Sequence, residues 1–384
     1  MISLVFSATV INYLDRQTLS VAAPVLIEQF HMSNVEYSRI VFAFMLAYTI
    51  MNAVSGPLID RLGTKAGYAL CMIWWSASSV LHAFAKGPVS LGVYRFLLGM
   101  GEAGNWPAGV KVVAEWFPER ERALASGVFN SGSSIGAILA PPLVAYILLR
   151  HGWPSAFVFI GLLGFVWLAF WWKFYRTPAP AVTTEPSPSA WRLFRMRLVW
   201  SFTLSKVFMD PVWYFYIFWF PEYLKRARHF DMASIGAYAW IPFALAGVGN
   251  LLGGFLGSWL LRRGLSVLVA RKSAVTIFAL LMTAAIPAVL TGSPWVSIAC
   301  VSLAMAGYTG GLANMLALPA DMFPKNAVAS VFGLASMGAG FGGMVFSLLT
   351  GWVVDHFSFT PVFIGFGLLP LVSATILWTL MKNR

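Results

Sequence analysis

Long apolar stretches follow one another along almost the whole chain, and they constrain its fold more than any other feature. A helix needs about 20 apolar residues to cross the hydrocarbon core of a bilayer. Twelve stretches approach or exceed this length, near residues 2–25, 38–59, 65–85, 89–112, 123–149, 153–175, 198–224, 234–261, 271–290, 294–317, 327–352 and 358–381. Because lipid offers the backbone no hydrogen bonds, such segments cross it as helices. The sequence therefore predicts an all-α membrane protein of twelve transmembrane helices.

The charged residues are few, and most of them lie between these stretches. The 384 residues carry a net charge of +12, although only 10% are charged. With the N-terminus inside, the inner loops and the C-terminus hold sixteen Lys and Arg, against six in the outer loops. This bias follows the positive-inside rule and predicts that both termini are cytoplasmic. Scattered charge of this kind argues for the lipid bilayer, and against nucleic acid, as the partner.

The longest polar connector divides the spans into six and six. Residues 176–197 contain a stretch rich in Pro, Ser and Thr, which is typical of a flexible linker. We expect an N-terminal six-helix bundle at 1–175 and a C-terminal six-helix bundle at 198–384. An acidic residue, a Phe-Pro turn and a Gly-rich helix follow span four at 115–129 and again follow span ten at 321–333. Such a repeat indicates two related bundles, which alternating-access transport uses.

A ten-residue motif follows span two at its predicted cytoplasmic end. Residues 56–65 read Gly-Pro-Leu-Ile-Asp-Arg-Leu-Gly-Thr-Lys, which resembles the GxLxDRxGxK signature of the major facilitator superfamily. Its expected conformational residues are Gly56, Asp60, Arg61, Gly63 and Lys65. Gly56 is expected to permit close approach of two helices. Asp60 is expected to accept bonds from a neighbouring helix N-terminus.

Six charged residues lie inside the predicted spans, where one charge costs roughly 2.5–3.5 kcal/mol on insertion scales. They are Asp15, Arg16, Arg95, Glu102, Lys206 and Asp210. At about 1.5 Å per residue, Asp15 and Arg95 lie at nearly equal depth on spans that run in opposite directions. The resemblance to the superfamily implies that spans one and four are neighbours, and on that basis we expect Asp15 to pair with Arg95. Glu102 lies on the same helix face as Arg95 and about 10 Å deeper.

Two interpretations of this cluster remain open. It can be an inert ion-pair network that holds the first bundle together. Alternatively, Asp15 and Glu102 exchange protons, because apolar surroundings disfavour a charged carboxylate. An anion that engages Arg16 would then force Asp15 and Arg95 to pair again, which couples anion binding to proton binding. Two carboxylates and two arginines at mid-membrane exceed what packing requires, which favours the second interpretation.

Span seven carries a second group of polar and aromatic residues. Lys206 and Asp210 are four residues apart and can neutralise each other on one helix face. Trp213 and Tyr214 follow them, and aromatic rings beside polar groups suit a sugar-like ligand. Aromatic packing alone is the alternative explanation for either ring.

Four segments, at 12–22, 94–107, 116–123 and 210–216, resemble the anion:cation symporter family of the major facilitator superfamily. Within that family the chain looks most like the hexuronate transporters, with galactonate and glucarate carriers next. The resemblance implies a fold of twelve helices in two six-helix bundles.

The resemblance also assigns roles to single residues. It implies that Arg16 binds the substrate carboxylate, with Tyr13 and Tyr48 near the substrate. The proton-coupling residues that it implies are Asp15, Glu102 and their partner Arg95.

The resemblance is looser in the second half. Galactonate-type carriers place a Trp late in helix ten and an Asn in helix eleven, where this chain has Leu316 and Ser336. This argues against galactonate and leaves Ser336 as a candidate contact. Asn314 is a nearby candidate substitute, and Lys206 is a candidate second anion contact.

These observations predict a proton-coupled symporter that imports a hexuronate, such as glucuronate or galacturonate, by alternating access. The expected partners are a small anionic substrate and protons, and we expect a monomer in the bacterial inner membrane. The alternatives are an aldonate, aldarate or other carboxylate symporter of the same family, an exporter or antiporter, and a sugar-acid sensor that does not transport. The five histidines are scattered and the two cysteines lie in separate spans, so we expect no metal site, no cofactor and no enzyme active site.

Overall fold

The computed structural model describes residues 1–117, 119–176, 193, 195–323 and 325–381 of the chain. Helices account for nearly all of this part, and no strand occurs within those ranges. The α-helices are Ile2–Gln29 (α1), Asn34–Leu62 (α2), Thr64–Leu81 (α3), Pro88–Glu102 (α4), Asn105–Trp116 (α5), Glu119–His151 (α6), Trp153–Phe174 (α7), Arg197–Arg228 (α8), Met232–Tyr238 (α9), Ile241–Arg262 (α10), Val267–Met282 (α11), Ala285–Leu290 (α12), Pro294–Met322 (α13), Lys325–His356 (α14) and Phe359–Leu380 (α15). The predicted all-α fold class is confirmed.

Each predicted span coincides with one helix or with two consecutive helices. Span four consists of α4 and α5, which meet at Ala103 and Gly104, and spans eight and nine are divided in a similar way. By length and apolar composition alone, eight helical segments of the described residues could cross a membrane. The spans that fall short of this measure include α1, α4 and α8, which hold Asp15, Glu102 and Lys206. These three charged candidates therefore lie in less apolar helices, whereas Tyr48, Asn314 and Ser336 lie in helices that meet the measure.

The helices form two compact units. The first comprises Met1–Thr183 and Phe218–Trp240, and the second comprises Thr184–Ile217 and Ile241–Arg384. In the first unit α1 packs along α6, α2 along α4, and α3 along α7. In the second unit α10 and α11 pack against α13, and α15 packs against α11 and α12. Each unit therefore has helix-on-helix packing of its own.

Glycines of α6 let this helix lie directly against α1 in the first unit. A Cβ added to Gly132 would stand 2.6 Å from the carbonyl oxygen of Phe6. A Cβ on Gly136 would stand 2.6 Å from the carbonyl oxygen of Val10. At Gly127 a Cβ would meet nothing within 4 Å. Gly132 and Gly136 thus serve close packing, and Gly127 does not.

A longer series of small residues joins α10 to α13 in the second unit. An added Cβ would come within 2.2 Å of the opposite helix at each of three positions, which are four residues apart. The facing pairs are Gly249 with Ala306, Gly253 with Gly310, and Gly257 with Asn314. Small side chains at this spacing allow two backbones to approach closely in a membrane.

The motif at 56–65 turns the chain from α2 into α3. Gly63 has a φ of 78°, which favours glycine at the junction. The expectation for Gly56 was wrong, since a Cβ there would meet nothing within 4 Å. The close approach occurs instead at Gly67, where a Cβ would lie 2.9 Å from the Cα of Ile59.

The charged side chains of this motif lie at the same end of the two helices. Arg61 is exposed, and the Lys65 ammonium stands 5.3 Å from the ring centroid of Trp172. The side chain of Asp60 lies outside the described residues. Its expected bond to a neighbouring helix N-terminus therefore stays a prediction.

The acidic residues of the internal repeat make comparable contacts in the two units. In the first unit Glu115 accepts hydrogen bonds from the hydroxyls of Thr64 and Tyr175, both at 2.6 Å. In the second unit Asp321 accepts a hydrogen bond from Arg271 Nε at 2.9 Å. Each carboxylate ties the end of one span to the early part of α3 or of α11.

Candidate functional site

The centre of α1 is joined to the end of α4 by a buried ion pair. Arg16 donates to one oxygen of Glu102, Oε2, from Nε at 3.1 Å and from Nη2 at 2.9 Å. The exposed fractions are 3% for the Arg16 side chain and 0% for the Glu102 side chain. The Arg16 Nη2 also donates to Asn12 Oδ1 at 3.4 Å. Charge-assisted bonds of this kind are short and strong, and here they compensate two charges away from water.

Aromatic rings surround the Arg16 guanidinium. Its Cζ lies 4.7 Å from the ring centroid of Tyr48, 5.0 Å from that of Tyr13 and 5.3 Å from that of Phe44. Ring faces attract a cation at these distances, and more so where water is absent. The structure thus brings together Tyr13, Arg16 and Tyr48 as the sequence predicted. Phe44 was missed, because nothing distinguishes one Phe among 31 in an apolar chain.

Asp15 is bound by a hydroxyl and not by an arginine. The Ser79 hydroxyl of α3 donates a short hydrogen bond to Asp15 Oδ1. Within the part of the chain that the structure describes, Asp15 Oδ2 has no hydrogen-bond partner. Asp15 is 1% exposed, so this oxygen is unpaired in a dry environment. The signal that could have identified Ser79 is the polar sequence Ser76, Ser78 and Ser79 within an apolar span.

The predicted pair between Asp15 and Arg95 is a second expectation that the structure contradicts. Arg95 is 1% exposed, and none of its three side-chain nitrogens has a hydrogen-bond partner among the described residues. Its Cζ lies 5.7 Å from the Phe44 ring centroid. Both Asp15 and Glu102 lie close enough for their charges to act on Arg95. The cluster therefore contains one closed ion pair and, beside it, an arginine without a hydrogen bond.

The predicted pair on α8 is confirmed in the second unit. Lys206 Nζ lies 2.6 Å from Asp210 Oδ2, and both side chains are less than a tenth exposed. Tyr308 of α13 donates from its hydroxyl to Asp210 Oδ1 at 3.2 Å. The Trp213 ring stacks on Tyr308 with centroids 5.2 Å apart. Tyr308 is a member of this group that the sequence did not single out.

The other candidates in the second unit have different surroundings. Asn314 is buried, and its amide nitrogen donates to the Gly253 carbonyl at 2.8 Å. Its oxygen accepts a hydrogen bond from Arg271 Nη1 at 3.2 Å. Asn314 thus has a packing role between α10 and α13. Tyr214 and Ser336 are partly buried, on α8 and α14.

Long helices, two helical units and buried charges within the predicted spans together define a class, that of multi-pass membrane proteins with polar sites inside the bilayer. The described residues contain no group of His, Cys, Asp and Glu that could hold a metal ion.

Comparison with known proteins identifies the family. The family model of the Major Facilitator Superfamily matches residues 5–309 and 265–384. The chain is 34% identical to the hexuronate transporter of Escherichia coli (strain K12), over 100% of this chain and 94% of the relative. It is 38% identical to the galacturonate transporter of Dickeya chrysanthemi, over 79% of this chain and 94% of the relative. The chain belongs to the Major Facilitator Superfamily, whose members are membrane transporters. The predicted resemblance to hexuronate transporters is confirmed.

Solved structures agree on the fold. A crystal structure of a D-xylose-proton symporter superposes with a TM-score of 0.80 at 14% identity, covering 99% of this chain and 97% of that one. A bacterial homologue of the human lysosomal transporter Spinster, in an inward-facing and unoccupied conformation, gives a TM-score of 0.77 at 20% identity. That match covers 98% of this chain and 94% of the homologue. The twelve-helix fold of the superfamily, in two six-helix bundles, is therefore the fold of this chain.

Proposed function

We propose that this protein is a proton-coupled symporter that imports a hexuronate, such as glucuronate or galacturonate, by alternating access. The relatives named above as hexuronate and galacturonate transporters support the substrate class. An aldonate or aldarate is the alternative substrate, since the chain is also 27% identical to a D-galactonate transporter of E. coli O6:H1.

The observation that carries the proposal is the buried pair between Arg16 and Glu102. The guanidinium is already bound by a carboxylate, at 2.9 Å, inside an aromatic enclosure. A substrate carboxylate offers the same bonding group, so it can replace Glu102 on Arg16. The displaced Glu102 is then a fully buried carboxylate without its cation. Breaking a buried ion pair costs about 3–5 kcal/mol, and binding a proton to Glu102 removes most of that penalty.

Proton binding and substrate binding thus favour each other. The substrate binds Arg16 more tightly when Glu102 is protonated, and Glu102 binds its proton more tightly when substrate holds Arg16. Asp15 offers a second protonatable carboxylate, and Arg95 is the cation that can compensate it. If more protons than substrate charges move inward, the membrane potential adds about 2.3 kcal/mol per net charge and 100 mV.

The remaining candidates lie in the second unit, and we keep them as candidate substrate contacts of that unit. Lys206 would bind a carboxylate after release from Asp210. Trp213 would offer an apolar ring to the sugar face, and Tyr214 and Ser336 would donate hydrogen bonds. Asn314 was a further candidate, and we keep it only through its link to Arg271, because its amide already has partners.

The proposed setting is that of the superfamily. The protein would be a monomer in the cell membrane, with cytoplasmic termini and the bacterial inner membrane as its location. Two bundles, at 1–175 and 198–384, would alternate access on either side of the linker at 176–197. The motif residues Gly63, Arg61 and Lys65 would act in that conformational change.

Uptake into proteoliposomes with an imposed pH gradient tests the coupling. We expect glucuronate or galacturonate to accumulate only when the exterior is acidic, and galactonate or glucarate to compete weakly. Hexuronate uptake that does not depend on the pH gradient would refute proton coupling. Accumulation of galactonate in preference to hexuronates would establish the alternative substrate.

Glu102→Gln separates proton coupling from binding. Glutamine cannot lose a proton, so the variant should lose gradient-driven accumulation and keep the exchange of labelled for unlabelled substrate. Glu36→Gln is the matched control, because Glu36 accepts from the Ser33 amide in a capping box that glutamine also forms. Loss of both accumulation and exchange in Glu102→Gln alone would show that Glu102 is needed for binding or folding.

A further inference from the structure

A buried histidine lies outside the group that the proposed mechanism uses. His82 begins the 3₁₀ turn His82–Phe84 that follows α3, and it is 0% exposed. Its ring stacks on that of Phe157 of α7, with centroids 4.9 Å apart and planes 8° from parallel. Three residues earlier on the same chain, Ser79 holds Asp15. The histidine is thus one helical turn away from the serine that bonds Asp15, a proposed proton site.

The hydrogen bonds of His82 fix its tautomer. Nδ1 lies 2.7 Å from the carbonyl oxygen of Ser78, and a carbonyl can only accept. Nδ1 therefore carries the hydrogen, and in the neutral ring Nε2 presents a lone pair. Nε2 is buried and has no hydrogen-bond partner within the described residues. A buried acceptor without a donor is destabilising, because it has lost its bonds to water.

Arg95, on the adjacent helix α4, is a buried donor that lacks hydrogen-bond acceptors among the described residues. Its guanidinium can donate five hydrogen bonds, and none of its nitrogens has a partner in the described part of the chain. It directly follows Tyr94, whose ring centroid lies 5.9 Å from that of His82. The charge of Arg95 also acts on the His82 ring. His82 Nε2 lacks a donor and the Arg95 guanidinium lacks acceptors, so a hydrogen bond between them would satisfy both groups.

The elements around the turn add few other titratable groups. The turn packs against α3, α4 and α7. Among the described side chains, α4 contributes Arg95 and Tyr94 to the surroundings of His82, and α7 contributes the Phe157 ring. Asp15 of α1 lies beyond Ser79. For Asp15 itself the charges that act are those of Glu102 and Arg95.

We propose that His82 is a positioning residue for proton coupling: its neutral Nε2 accepts a hydrogen bond from Arg95 and so competes with Asp15 for that cation. When Arg95 is held at His82, Asp15 lacks a nearby cation and binds a proton. When Arg95 turns to Asp15, the carboxylate is stabilised in its charged form and releases the proton. The inference deepens the proposed function and depends on its proton coupling.

The sign of the effect follows from this competition. Without an acceptor at residue 82, Arg95 remains with Asp15, which then takes up a proton only from a more acidic exterior. A neighbouring cation moves the titration of a carboxylate by about one to three pH units. The external pH at which uptake is half-maximal should therefore fall by about one unit.

Three substitutions distinguish the acceptor from the ring. His82→Phe keeps the stacking on Phe157 and removes both nitrogens. His82→Asn keeps a donor for the Ser78 carbonyl and has no atom at the position of Nε2. His82→Gln provides a donor and also an acceptor of longer reach. His151→Phe, at an exposed position, is the control.

The measurement is the external pH profile of glucuronate and galacturonate uptake, with substrate exchange measured in parallel. We expect the profile to shift to lower pH in His82→Phe and His82→Asn, to return toward wild type in His82→Gln, and to be unchanged in His151→Phe. Exchange should remain in all four variants. Unshifted profiles in both His82→Phe and His82→Asn would overturn the inference. So would loss of exchange in all three His82 variants, which would show a structural role. A flat profile in the wild-type protein would instead refute the proposed proton coupling.

Discussion

The contact between α10 and α13 allows a test in which two neighbouring glycines receive the same substitution. A Cβ on Gly253 would lie 2.2 Å from the carbonyl oxygen of Gly310 and 2.6 Å from its Cα. A Cβ on Gly254 would meet nothing within 4 Å. Both residues lie in α10, so Gly→Ala changes the helix propensity of both by a similar amount, about 1 kcal/mol in favour of the helix. The difference in the free energy of unfolding between the two variants therefore measures the effect of helix packing alone.

The size of the difference follows from the geometry. Relieving the clash at Gly253 requires the two backbones to separate by roughly 1 Å, because carbon atoms pack at about 3.5–4.0 Å. The atoms met are backbone atoms, which cannot rotate away. The separation would also stretch the 2.8 Å hydrogen bond from Asn314 to the Gly253 carbonyl. Overpacking of this kind costs about 1–3 kcal/mol, so Gly253→Ala should be less stable than Gly254→Ala by about that amount.

Thermal unfolding in detergent, followed by the fluorescence of a thiol probe or by retained solubility, measures this difference. A shift of about 2–4 °C per kcal/mol is usual for units of 150–250 residues, so Gly253→Ala should unfold several degrees below Gly254→Ala. Gly254→Ala should equal or exceed the wild type. Equal Tm values for the two variants would refute the packing argument. So would a Tm for Gly254→Ala below that of Gly253→Ala.

Three further predictions concern the motif and the site. Gly63→Ala should destabilise by about 1–2 kcal/mol through its positive φ, while Gly56→Ala should equal or exceed the wild type in the same thermal assay, because a Cβ there meets nothing and alanine favours the helix. Lys206→Met should raise KM for uptake and lower Tm, because it leaves Asp210 without its cation. Adding Asp210→Asn should restore Tm but leave KM high if the lysine contacts substrate. Recovery of both Tm and KM would show that the pair is structural. Arg16→Lys should raise KM at least about tenfold, because lysine lacks the planar fork that binds a carboxylate, and an unchanged KM would contradict its proposed role.

The positions of the spans could be predicted because the bilayer imposes one rule on every helix. Apolar length alone located the centres of the spans, and the structure places helices there. The interruptions within spans were not predicted. At Ala103 and Gly104 the helix axis breaks where small residues pack against α3, since a Cβ on Gly104 would lie 2.3 Å from Cys71 Sγ. A break of this kind depends on the neighbouring helix, which the local sequence does not describe.

Membership of the charge cluster was predictable, and its pairing was not. Depth along a span can be counted from residue number, so Asp15, Arg95 and Glu102 could be placed near one another. Rotation of a helix about its axis is set by packing, and a span that is apolar on all sides gives little indication of it. The long Arg16 side chain reaches Glu102, which is 86 residues away in sequence. Asp15 accepts a hydrogen bond from a serine hydroxyl, and no count of charges would indicate that partner.

The observed pairing changes what the cluster can do. Under the proposed mechanism, with Glu102 as its internal counter-ion, Arg16 would have two compensated states, one with the charged glutamate and one with a substrate carboxylate beside a protonated glutamate. The two mixed states are uncompensated: either the arginine is bare, or two carboxylates share one cation in a site that excludes water. Each mixed state carries a penalty of about 3–5 kcal/mol, which lowers its population about 150- to 5,000-fold. A carrier that changes conformation only from compensated states moves substrate and proton together or moves neither. The Asp15–Arg95 pair predicted from the sequence would have left Arg16 without a counter-ion whenever substrate was absent, and would not have supplied this property.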